Sequence, residues 1–136
     1  MLDLDCGAGV PVARALAADG FAVIGVDVSD VQIARARRLV PAARFLRADA
    51  TRVELPAAAF DAVVCLYVLI HLPLEEQPAL LGRIAGWLRP GGRLLGHHRP
   101  AGLDRHRGGL ARWLGDDVVE PRRRRHLPGV DRPGRP

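Results

Sequence analysis

The chain has 136 residues, 49% hydrophobic and 26% charged, with a formal net charge of +5. That length suits one domain able to bury a core, since domains cluster at about 100 to 150 residues. Its longest apolar stretches, such as "AVVCLYVLI", fall well short of the ~20 residues of a membrane-spanning helix, and no basic, then apolar, leader opens the chain, so the expected location is cytoplasmic with no membrane partner.

The charge is unevenly placed. Up to residue 95 ten arginines meet ten acids, whereas 96–136 hold ten arginines against five acids, and lysine is absent throughout. A basic total ordinarily points to nucleic acid, but here it lies where the chain reads least folded, so a nucleic-acid partner is not expected. Cys6 and Cys65 sit in apolar, strand-like contexts, which reads as buried thiols in a reducing compartment.

In chain order, "LDLD" at 2–5 predicts the end of a strand, and Pro11 to Ala18 a helix, with Pro11 in its first turn and Gly20 as its cap. "FAVIGVD" at 21–27 is a continuous apolar run of the kind shown by a parallel strand buried on both faces. Ser29 and Gln32 have capping-box spacing, opening a helix to about Val40 with Ile33, Ala36 and Val40 on one face. "ARFLRAD" (43–49) predicts a third strand and "DAVVCLYVL" (61–69) a fourth. From Glu75 to Leu88, the residues Leu80, Leu81, Ile84, Trp87 and Leu88 form one helical stripe; "RPGG" at 89–92 then turns into a short strand, "RLL".

This alternation predicts an α/β domain over 1–95: a Rossmann-like, doubly wound, mostly parallel sheet, incomplete, with an irregular tail over 96–136. Ligands of such sheets bind beyond the carboxyl ends of the strands, where the strand order reverses. The first strand ends at "DCGAG", where glycine lets the backbone approach a ligand and the next helix offers free N–H groups. The second ends at Asp27, twenty residues after Gly7, a spacing that suits ribose hydroxyls. Asp49 ends the third and could meet an exocyclic amine; Leu66 and Tyr67 end the fourth.

"LDLDCGAG", "GVDVS", "ADAT", "FDAVVCLYVLIHL" and "WLRPGGRLL" resemble, in order and spacing, the motifs of class I S-adenosylmethionine-dependent methyltransferases of the small-molecule type, over residues 1 to about 95. The resemblance implies a small-molecule methyl acceptor and S-adenosyl-L-methionine as cofactor. It implies that Asp5, Cys6, Gly7 and Gly9 pass the methionine portion, Asp27 and Val28 hold the ribose, Asp49 and Ala50 contact the adenine, and Leu66 and Tyr67 lie near the sulfonium. Methyl transfer is an in-line displacement that depends chiefly on positioning. No catalytic residue is therefore required; His71 in "LIHL" is either a base for the acceptor or a residue that orients its loop. No metal site is expected, since neither the "GHH" histidines nor Cys65 has ligand spacing.

The chain departs from the family in three places. Asp5 replaces the first glycine of GxGxG, where a carboxylate either pairs with the cofactor's ammonium group or repels its carboxylate. The chain begins in its first strand, which leaves no room for the N-terminal helices that close the site in relatives. Its tail is rich in Arg, Gly and Pro. One reading of the tail is a basic arm; a second is a frameshift near Leu95, because a shifted frame can encode protein-like sequence there. Two further readings of the whole chain are a NAD(P)-binding oxidoreductase domain, against which Val12 stands where GxGxxG needs a small residue, and a non-catalytic fragment. The sequence leaves the oligomeric state open.

Overall fold

The computed structural model describes residues 1–96; the tail over 97–136, and the readings placed on it, lie outside the described residues. Five strands form a parallel sheet: β1 (Leu2–Leu4), β2 (Ile24–Asp27), β3 (Arg44–Arg47), β4 (Phe60–Cys65) and β5 (Leu88–Gly96), in the order β3-β2-β1-β4-β5. Four helices connect them: α1 (Val12–Ala18), α2 (Asp30–Leu39), α3 (Val68–His71) and α4 (Gln77–Trp87). This is the Rossmann-like, doubly wound arrangement the alternation predicts.

Strand periodicity sorts the core into two layers. Leu2 and Leu4 of β1, Val26 of β2, and Val63 and Cys65 of β4 pack with Leu80, Ile84 and Trp87 of α4. Cys6, Phe45 and Ala13 of α1 pack on the other side with Ile33 and Ala36 of α2. Leu80 and Ile84 are each 1% exposed, so each contributes on the order of 1.5–3 kcal/mol through burial. The apolar spacing read on both helices therefore corresponds to real packing faces.

α2 begins at Ser29, whose Oγ accepts the Gln32 N–H at 3.3 Å. The return half of the capping box is not made: the Ser29 N–H donates instead to Asp27 Oδ1 at 2.8 Å, and Gln32 Oε1 is buried without a partner. Asp30 in the first turn and Arg37 and Arg38 in the last complement the helix dipole.

Several boundaries differ from expectation. The fourth strand stops at Cys65. Residues 68–71 instead coil into α3, with the Leu72 N–H on Val68 O at 3.1 Å. A continuous apolar run carries no period that separates strand from helix. The second strand is shorter than 21–27, and α4 starts at Gln77, with a proline in its first turn, instead of at Glu75. The fifth strand is longer: Leu88 pairs with Phe60 before "PGG" loops out, Gly91 adopting φ +77°, and pairing resumes at Arg93 with Ala62.

Gly25 in β2 is a steric requirement. A Cβ there would stand 2.6 Å from the Phe45 ring and 2.8 Å from Cys6 Sγ. The missing side chain lets an aromatic from β3 and a thiol from the loop after β1 meet over the middle strand.

Candidate functional site

β1 has β2 on one side and β4 on the other, so the loops leaving β1 and β4 diverge and open a crevice at the carboxyl edge. A cavity of about 320 Å³ lies along this edge. Its wall brings together Asp5, Asp27, Val28, Asp49 and Ala50, five of the residues picked out in the sequence from three different strand ends. His71 joins them from α3.

The loop after β1 earns its shape from left-handed torsions: Asp5 has φ +60°, Gly7 +54° and Gly9 +76°. Glycine adopts these freely, while an L side chain does so only at a cost. Nothing lies within 4 Å of where a Gly7 Cβ would stand, so its backbone is open to an incoming molecule. Gly9 is different: a Cβ there would come within 3.0 Å of the Phe45 ring, so its smallness serves packing as well.

Asp27 is the structural hub. It is 6% exposed, and its Oδ2 accepts the Gly7 N–H at 2.8 Å while Oδ1 accepts that of Ser29 at 2.8 Å. One carboxylate thus ties the loop after β1 to the cap of α2. Asp49 forms a self-contained turn: its Oδ1 accepts both the N–H (2.8 Å) and the hydroxyl (2.7 Å) of Thr51. These bonds hold its carboxyl below the usual range.

Cys6, Gly7, Gly9, Leu66 and Tyr67 are not on the cavity wall. Cys6 is buried beneath the loop, its N–H on Val26 O at 3.0 Å, and burial, followed by the nearby Asp3 and Asp27, pushes its thiol up to about 12. Leu66 is half-buried and Tyr67 is 57% exposed, both in the turn between β4 and α3.

Sequence reasoning missed several contributors. Val68 and Leu72 line the cavity one helical turn apart, a spacing hidden by reading 61–69 as strand. Thr51 is also on the wall, and the signal for it was present as Asp-x-Thr in "ADAT". Asp3, between Leu2 and Leu4 in β1, is 4% exposed with Oδ2 unpartnered. Burial, then the charges of Asp5 and Asp27, raise its carboxyl to about 7. Asp5 is raised too, first by partial burial, then by the charge of Asp27 and a hydrogen bond to it, while His71 acts in the opposite direction.

The far wall is braced from outside. Val53 closes the Asp49 turn with its N–H on Asp49 O at 2.8 Å, and Val53 O accepts from the guanidinium of Arg83 on α4. Arg83 also faces Glu54 at 3.7 Å and stacks 5.3 Å from the centre of the Trp87 ring.

Comparison with known proteins gives this geometry a family. A sequence model described as "Methyltransferase domain" matches residues 1–92. The 27-O-demethylrifamycin SV methyltransferase of Amycolatopsis mediterranei (strain S699) is 36% identical over 115 residues, covering 76% of this chain and 42% of that protein. An uncharacterized methyltransferase of Mycobacterium tuberculosis is 40% identical over 96 residues, covering 69% and 47%. Among solved structures, an S-adenosylmethionine dependent methyltransferase from Mesorhizobium loti superposes with a TM-score of 0.61 at 29% identity, covering 70% of this chain and 44% of that one. The chain thus spans less than half the length of these relatives. With a matched motif series and a matched fold, it belongs to the methyltransferase domain family.

Proposed function

We propose that this domain binds S-adenosylmethionine along the carboxyl edge of β3, β2, β1 and β4 and serves methyl transfer to a small-molecule acceptor in the cytoplasm. The observation that carries this reading is the single cavity that gathers Asp5, Asp27, Val28, Asp49 and Ala50 from separate strand ends. Its volume lies within the ~300–1,000 Å³ of small-molecule sites.

The residues present suit an adenosyl ligand. Val28, Ala48, Ala50 and Leu72 supply apolar walls for a flat base at the β3 end, with Asp49 beside them as an acceptor for an exocyclic amine. Asp27 accepts one N–H on each oxygen and also bonds the Asp5 carboxyl, which leaves one acceptor position for a ribose hydroxyl. Beyond the ribose, the open backbone at Gly7 leaves a course for the amino-acid portion, with Cys6 and Gly9 setting the loop's path from below.

When bound, the sulfonium supplies an activated methyl group with a good leaving group already in place. The chain's own work is then alignment, which can contribute several kcal/mol of a displacement barrier. Leu66, Tyr67 and α3 flank the end where the acceptor would approach, and His71 is positioned to take a proton from an acceptor hydroxyl or amine.

Calorimetric titration of the 136-residue chain with S-adenosylhomocysteine, and separately with NAD, tests the reading. Saturable heat with the first alone is expected; heat with NAD alone, or with neither, would overturn it.

A further inference from the structure

The cavity is unusual in its charge. Its wall carries three carboxylates, Asp5, Asp27 and Asp49, and no arginine, with His71 the one basic side chain. Two of the three have evident local duties: Asp49 closes its turn on Thr51, and Asp27 secures Gly7 and Ser29. Asp5 has only a hydrogen bond to the Asp27 carboxyl. Among the described residues no backbone N–H donates to its carboxyl, and it holds a left-handed torsion, φ +60°, in which a glycine would be relaxed. A strained side chain that sets a second carboxyl against Asp27 on a cavity wall with no arginine points to a cationic ligand as the pair's counterpart.

The strand order says which part of the ligand that would be. With the base at the β3 end and the ribose over β2, the next position along the edge is β1, where Asp5 stands facing α3 and His71. That is where the 5′ substituent of an adenosyl ligand, with its sulfur, would lie. Resting on the cofactor reading above, we propose that Asp5 makes the crevice discriminate by charge, favouring the cationic sulfonium ligand over the neutral thioether left after methyl transfer. Although Asp5 is exposed, a carboxylate beside a full charge is worth about tenfold in affinity at the effective dielectric of a protein surface. The device would leave the product held more weakly than the substrate without any moving part.

The test compares the full chain with Asp5→Asn and Asp5→Gly, titrating each with three ligands: S-adenosylmethionine, its thioether product, and the analogue in which an aminomethylene carbon replaces the methylsulfonium. The wild type should bind both cationic ligands at least about tenfold more tightly than the thioether. Both substitutions should bring the three affinities within about threefold of one another, chiefly by weakening the two cationic ligands. A ratio unchanged by substitution overturns the proposal, as does a common shift of all three ligands, which marks a purely structural role. Binding of all three by the variants alone would make Asp5 an obstruction and also overturn it. If no protein binds any of the three, the cofactor reading itself falls and the proposal falls with it.

Discussion

The ends of β1 and β2 lie side by side and handle an acidic residue in opposite ways. Asp27 ends β2 nearly buried, in a strand conformation, with both oxygens bonded to backbone N–H groups 2.8 Å away. Asp5 ends β1 exposed at the cavity, in a left-handed torsion, with a hydrogen bond to Asp27 and none from the backbone. The first carboxylate is part of the architecture: without it, the loop and the α2 cap both lose their acceptor. The second sits in a torsion that a glycine would adopt without strain, which is why the proposal above assigns it to ligand choice.

The largest effect should come from Asp27→Ala, which strands two N–H groups: a loss of about 2–3 kcal/mol in chemical denaturation, with S-adenosylhomocysteine binding weakened more than tenfold. An undiminished midpoint would erase the contrast. Gly25→Ala drives a methyl into Phe45 and Cys6. It should cost about 2 kcal/mol, seen as a lowered melting temperature, and would show whether the loop after β1 is held from beneath.

The acidic group as a whole predicts a pH trend. Asp3 titrates at about 7 when folded, against about 3.9 in an unfolded chain. The folded state therefore holds a proton that the unfolded state releases between these values. The stabilisation is complete below pH ~4 and lost as pH rises through about 7, with Asp5 acting in the same direction. Melting temperature should fall from pH 5 to pH 8 by the equivalent of about 1–2 kcal/mol, and Asp3→Asn should flatten the slope. Asp5→Gly relieves the strained torsion and should raise stability by about 1 kcal/mol; a loss instead would mean that the β1 end relies on its carboxylate after all. Smallest is Arg47→Ala, which removes an exposed ion pair with Asp30 at 2.5 Å and should change the midpoint by less than about 0.5 kcal/mol.

Much of this was legible because it is written locally. Apolar runs bounded by Gly, Asp and Ser mark the strands, and the aspartates at 27 and 49 lie at strand ends as the carboxyl-edge rule requires. What escaped depended on distance or direction. The turn from strand to helix after Cys65 lies inside a run of nine apolar residues, whose pattern does not mark where extended chain gives way to helix, and so Val68 and Leu72 went unnoticed. The inward course of Cys6 follows from the gap at Gly25 filled by Phe45, three residues brought together only by folding. Asp3 could not be singled out because strand alternation alone would turn an acid between leucines to solvent, whereas in β1 both faces are covered.

The Arg83 brace has a practical corollary. α4 supplies no side chain to the lining of the crevice, yet its guanidinium grips the peptide at Val53, four residues from Asp49. One bank of the crevice is therefore moored to a helix that packs against β1 and β4. Anyone redesigning the α4 packing, even far from the crevice, should expect to retune how firmly the adenosyl ligand proposed above would be held.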